Sequence, residues 1–203
     1  MKKKFLKSSI DIIKKSNPNI SEEQIEIIEY GLEGIYLTFS KLIILIILSS
    51  ILGILWQVIL LSIFYNIIRT VAFGLHASKS IHCLIMSLVM FIGGTYICLG
   101  VNFSLIVKVI ISVVCVFLLY RYAPADTVKR PIVSKKRRNI YKFLSTLFGL
   151  IYTFVIFACS DNVISMFMLI GMVEAVIIVL PISYKVLNLS YDNYKNYEVG
   201  LSN

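Results

Sequence analysis

The chain has 203 residues, 58% of them hydrophobic and 15% charged, and a net charge of +9. A soluble domain is about 45–50% apolar and about 25% charged, and one of this size exposes too much chain to hide such a composition. Disorder is excluded on the opposite ground, since there is ample apolar material to bury. The basic residues flank long uncharged runs instead of patterning a soluble face, which points to a membrane and not to nucleic acid.

In chain order, residues 1–34 come first. Phe5–Lys15 is basic, with Leu6, Ile10 and Ile13 at helical spacing, and Asn17-Pro18 ends it. Ser21 and Gln24 have the spacing of a capping box, opening a second helix whose Ile25, Ile28, Leu32 and Ile35 form one apolar stripe. The two helices read as an amphipathic hairpin on the membrane surface, its lysines favouring anionic lipid. Six lysines there are balanced by six acids. The segment is not patterned as a secretory signal, because Lys14, Lys15 and an acidic stretch follow too soon.

Apolar tracts follow at Ile35–Ile68, Leu84–Val101, Phe103–Tyr120, Phe143–Cys159 and Val163–Ile182. The first is short for two full spans of about 20 residues each. We read it as two helices turning near Gly53, which makes the charge pattern consistent. The expectation is an all-α integral membrane protein, a single membrane domain with about six transmembrane helices. The bundle occupies 35–182 and a tail 183–203. Turns near Gly53, Gly100 and Ser160 then share one side and hold no Lys or Arg. The opposite side receives residues 1–34, 69–82, 121–142 and 183–203, with 18 of the 20 basic residues. By the positive-inside rule that side is cytoplasmic, and both termini lie there.

Both histidines and one of the four cysteines fall in His76-Ala77-Ser78-Lys79-Ser80-Ile81-His82-Cys83. Cys98, Cys115 and Cys159 sit in apolar tracts, where a thiol is a small hydrophobe. Cys83 differs. Ser80 as N-cap places it near the third position of a helix, where the dipole favours a thiolate, and Lys79 adds a cation. His82 is adjacent and points about 100° away, so it is a poor base. His76, on one straight helix, would be about 10.5 Å away in rise. A Cys83–His76 dyad therefore requires a break between them, which Gly74 and Ser78–Ser80 can supply. The competing readings are an unreactive polar loop and a zinc site on His76, His82 and Cys83, for which no acidic partner lies nearby.

Arg69-Thr70-Val71-Ala72-Phe73-Gly74-Leu75-His76, with Cys83 seven residues later, and Tyr122-Ala123-Pro124-Ala125-Asp126-Thr127, with Pro131-Ile132 beyond, resemble the accessory gene regulator B family of membrane cysteine endopeptidases. Phe73 departs from the small residue common at its position. The resemblance implies a membrane enzyme of bacterial quorum sensing that needs no cofactor and acts as a homodimer. Its substrate is a propeptide of the accessory gene regulator D type. Cys83 matches the nucleophile and His76 the general base. The implied product is a cyclic thiolactone or lactone, formed from an acyl-enzyme thioester with release of an acidic C-terminal piece.

Other residues are candidates for binding or support within the segment 69–83 and the basic loop 121–142. Lys129, Arg130, Lys135, Lys136, Arg137 and Arg138 suit an acidic leaving peptide. Arg69 is placed to bind a carboxylate or steady an oxyanion. Gly74 provides the break. Asp126, the single acid of the loop, is expected to pair with a cation or orient His76. Glu174, inside an apolar tract, is expected to pair with Lys108 or to be protonated within the packed bundle, the alternatives being a polar substrate path or a subunit contact. The reading from another class is a non-catalytic peptide exporter or membrane scaffold.

Overall fold

The computed structural model describes residues 2–17, 20–75, 80–127, 131–195 and 197. They are helical throughout, without a named strand among the described residues. They fall into two compact units, Met1–Gly53 and Ile54–Asn203.

The first unit holds α1 (Lys2–Ser16) and α2 (Glu22–Ile51). Ser21 caps α2 as the sequence predicts: its hydroxyl accepts from the Gln24 amide, and the Gln24 side chain accepts from the Ser21 amide. The Phe5 and Tyr36 rings, 5.3 Å apart, join α1 to α2. The expected boundary at residue 34 is not a break. The second surface helix and the first apolar tract form one 30-residue helix, because no proline separates them and Gly31 and Gly34 are carried within it. It ends at the expected turn, where Gly53 adopts a φ of +70° that favours glycine.

The second unit contains α3 (Leu55–Ala72), α4 (Ser80–Leu88), a π-helical turn (Val89–Gly93), α5 (Gly94–Gly100), α6 (Leu105–Tyr122), α7 (Lys135–Ala158), α8 (Asn162–Ile177) and α9 (Pro181–Val186). Five described helical runs are long and apolar enough to cross a bilayer: Gln24–Ile51, Leu55–Ala72, Ile81–Gly100, Leu105–Tyr122 and Lys135–Ala158. The sixth expected span is shorter than its apolar tract. α8 has 16 residues, and the chain turns at Ile178–Leu180 before Pro181, whose ring opposes continuation of the helix. The tract Phe143–Cys159 is extended the other way, since Ser134 caps α7 through the Arg137 amide.

The core joins α3, α6, α7 and α8 through Ile68, Ala72, Cys115, Leu119, Tyr152, Ile156, Leu169, Met172 and Ala175. Large apolar side chains such as Ile110, Phe117 and Phe154 face outward, a surface suited to lipid. With hydrocarbon outside, helices associate through close packing of small residues. Gly171 is an example: a Cβ there would lie 2.9 Å from the Tyr65 backbone nitrogen on α3.

At the end of the unit where α8 starts, Lys108 is buried and donates to Asn162 Oδ1 and to Ser165 Oγ at 2.6 Å. The expected Lys108–Glu174 pair does not form. Glu174 lies nine residues beyond Ser165 on α8, about 13.5 Å along the axis. Cys159, expected within a span, instead follows the last residue of α7. All four cysteines are free thiols.

Gly171→Val should lower the unfolding temperature in detergent by several degrees, as overpacking costs about 1–3 kcal/mol. Gly31→Ala, where nothing lies within 4 Å, should leave it nearly unchanged.

Candidate functional site

Where α3 stops, its freed backbone groups need partners. They find them in two distant segments. Ala72 O accepts from the Ala125 amide at 3.1 Å, the Gly74 amide donates to Ala125 O at 2.8 Å, and the Leu75 amide donates to Ile178 O at 3.0 Å. Phe73 and Ala125 thus form an isolated parallel bridge. The chain makes this turn with positive φ at Phe73 (56°) and Gly74 (110°). The Phe73 ring, unusual for its bulk at such a position, meets Tyr141 edge-on at 4.8 Å.

Arg69 closes the junction. Its Nη2 donates to Gly74 O at 3.1 Å and Leu75 O at 2.8 Å, while its Nη1 is buried without a hydrogen-bond partner. A Cβ on Gly74 would stand 2.5 Å from Nη1 and 2.6 Å from Ile178 O. Glycine is therefore required here twice over, by φ and by space. The two sequence motifs, 69–76 and 122–127, are two halves of one hydrogen-bonded junction.

Asp126 pairs with no cation among the described residues, and His76, the other expected partner, lies outside them. Asp126 Oδ1 accepts from the Asn193 amide at 2.9 Å and its Oδ2 from the Tyr194 amide at 2.8 Å. The Tyr184 hydroxyl donates to Asp126 O at 2.8 Å and that of Tyr191 to Tyr122 O at 3.3 Å. Burial pushes both phenols above their ordinary range, so they remain donors. Arg138 donates to Ile132 O and Val133 O and covers the Tyr194 ring at 3.7 Å. The segment 190–194 is thereby pinned against the loop that follows α6. Nothing in the sequence alone marked it.

The break expected between His76 and Cys83 falls on residues 76–79, which lie outside the described residues. α3 ends at Ala72, and α4, described from Ser80, carries Cys83 in its first turn. Its thiol is free and half-buried, within electrostatic range of Tyr65 and Arg69. His76 and Lys79 lie outside the described residues, as do Lys129 and Arg130. Of the basic loop, Lys135 and Lys136 line an open crevice with Asn139, Ile140, Phe143 and Leu144. Lys142 sits over the Tyr120 ring at 4.6 Å.

Glu174 is buried, and its Oε2 has no hydrogen-bond partner. Its other oxygen points at Gly94, where a Cβ would be 2.3 Å away. Tyr65 lies within electrostatic range of both Glu174 and Cys83. Its sequence signal was slight: it stands four residues before Arg69, on the same face of α3.

The model of the accessory gene regulator B family matches residues 6–180. The chain belongs to the accessory gene regulator B family. An AgrB-like protein of Clostridium acetobutylicum is 34% identical, the match covering 91% of this chain and 89% of the relative. One from Listeria welshimeri is 28% identical over 92% of each chain. Accessory gene regulator protein B of Staphylococcus aureus is 26% identical over 82% of this chain and 87% of its own. No solved structure matches. Membership in the accessory gene regulator B family, with the five apolar runs, makes this a membrane protein of quorum-sensing processing.

Two substitutions test the junction. Gly74→Ala should destabilise the fold by about 1–3 kcal/mol through strain and overpacking, read as a lower unfolding temperature. Asp126→Ala should speed hydrogen exchange at the Asn193 and Tyr194 amides by about tenfold or more, the worth of hydrogen bonds to a charged group, while amides of α7 stay protected.

Proposed function

We propose that this protein is a cysteine endopeptidase that cleaves a propeptide of the accessory gene regulator D type. The observation that carries the reading is Cys83, a free thiol in the first turn of α4, in a chain of this family. Cys83 and Arg69 lie within electrostatic range of each other, which sets a cation beside the nucleophile in this reading.

In this reading His76 takes the Cys83 proton. The thiolate attacks the scissile carbonyl, the C–N bond breaks, and the departing amine receives the proton from His76. The signal segment remains as a thioester on Cys83. An internal Cys or Ser of the peptide then attacks that carbonyl, closing a thiolactone or lactone and returning the Cys83 sulfur. A thioester keeps the acyl group activated, so ring closure is feasible where direct exchange from an amide is uphill. A water-poor site limits its loss to hydrolysis.

Lys135 and Lys136, exposed beside Ile140, Phe143 and Leu144, offer charge and apolar surface to an acidic amphipathic leaving piece. Placing 18 of the 20 basic residues on the cytoplasmic side puts Cys83 at the cytoplasmic edge of the membrane. The functional unit is a homodimer in this reading, as the resemblance implies.

Co-expression with a propeptide is the direct test. Cys83→Ala should abolish cleavage. His76→Ala should slow it by about 10²–10⁴-fold, the usual worth of a positioned base. A peptide adduct on the wild-type enzyme, released by hydroxylamine, should be absent in Cys83→Ala. Undiminished cleavage by Cys83→Ala would return the protein to the exporter or scaffold class.

A further inference from the structure

Arg69 Nη1 and Glu174 Oε2 are the two buried side-chain polar atoms without a partner among the described residues. Leaving such a group unpaired costs about 1–3 kcal/mol, more when it is charged. They have opposite character, one a donor and one an acceptor. They sit on α3 and α8, whose backbones touch closely at Gly171, and Tyr65 lies within electrostatic range of both residues. The Tyr65 hydroxyl makes no hydrogen bond among the described residues, and its ring is held edge-on to Phe91 at 5.2 Å.

The helical run that carries Cys83 changes character along its length. No described side chain of α4 is buried. From α5 onward Gly94, Thr95 and Cys98 are buried, and α5 packs against α3 and α8. Along the run exposure thus gives way to burial, with half-buried Met86 and Met90 packed against the core between Cys83 and Gly94. The seam between this run and α3 and α8, a wedge in burial, has Cys83 at its less buried end. Glu174 lies at the more buried end, reached across the missing Cβ of Gly94.

We propose that this wedge is the subsite for the acyl side of the peptide, with Arg69 Nη1 taking a backbone carbonyl near Cys83 and Glu174 accepting backbone N–H groups at its deep end. The inference rests on Cys83 being the nucleophile. An extended peptide backbone presents a carbonyl acceptor and an N–H donor in alternation, which is what the orphaned donor and acceptor require. Because the guanidinium is pinned through Nη2 to the Gly74 and Leu75 carbonyls, Nη1 is held in place before substrate arrives. Gly94 follows Cys83 by eleven residues, a rise of about 16 Å. At about 3.3 Å per extended residue, the deep end meets the fifth residue or so on the N-terminal side of the scissile bond.

The test needs no identified propeptide. Full-length protein in detergent is treated with synthetic Ala-Leu repeat peptides of one, three, five and seven residues, each bearing a C-terminal thioester. The Cys83 thiolate attacks the thioester carbonyl and expels the small thiol, and intact mass reports the adduct against a Cys83→Ala control. In the wild type the acylation rate should rise about five- to tenfold between three and five residues, the worth of one hydrogen bond. Glu174→Leu and Gly94→Ala should lose that step, reacting with the five-residue probe no faster than with the three-residue one. Glu174→Gln, which keeps an acceptor oxygen, should retain most of it.

A wild type without the step, or a step that persists in Glu174→Leu, overturns the subsite. So does an equal loss for one-residue and five-residue probes in both variants, which assigns Glu174 to architecture alone. If Cys83 of the wild type takes no acyl group even from the one-residue probe, the nucleophile itself is misassigned and the subsite falls with it.

Discussion

When α3 ends, the backbone must still satisfy its carbonyl and amide groups near a surface built for lipid, where water is a poor substitute. The bundle solves this at one point. Ala72, Gly74 and Leu75 bond to Ala125 and Ile178, and the Arg69 guanidinium takes the Gly74 and Leu75 carbonyls. Three segments distant in sequence are joined by backbone bonds that leave little freedom of register. Cys83 follows Leu75, at this junction, by eight residues in the sequence. A side chain on Gly74 would strike both the guanidinium and the Ile178 carbonyl, which makes one hydrogen atom a condition of the arrangement.

The interior polar groups divide by whether their bonding is complete. Lys108 is held by Asn162 and Ser165, the Tyr152 hydroxyl by Phe64 O, and Asp126 by the amides of Asn193 and Tyr194. These are architectural: each ties one segment to another and spends its hydrogen-bonding capacity there. Arg69 and Glu174 keep an orphaned atom each, and both belong to the surroundings of Tyr65.

Small residues set how near the helices come, and so where those polar groups meet. Gly171 lets α8 reach the Tyr65 backbone, Gly149 lets α7 reach Leu119 and Met172, and Gly94 gives the Glu174 carboxyl its room. Each works by the absence of a Cβ, a feature invisible to hydropathy.

The sequence by itself determined the membrane class, the apolar runs, the Ser21–Gln24 cap, the turn at Gly53 and the two motifs around Arg69–His76 and Tyr122–Thr127. These follow from local patterns: hydrophobic length, spacing, and the backbone demands of Gly and Pro. Tertiary structure alone decided the rest. Hydropathy assigned Val163–Ile182 to one span, yet α8 ends at Ile177, where its chain turns to give Ile178 O to Leu75. Charge complementarity suggested Lys108 for Glu174, but Lys108, on α6, meets α8 at Asn162 and Ser165, well short of Glu174 along that helix. Asp126 looked like a partner for a cation or for His76, and its oxygens hold the 190–194 segment. Tyr65 and Gly94 carried no motif, because what gives them meaning is which helix lies opposite. A one-dimensional pattern records what a residue can bond to; only packing decides which partner comes within reach.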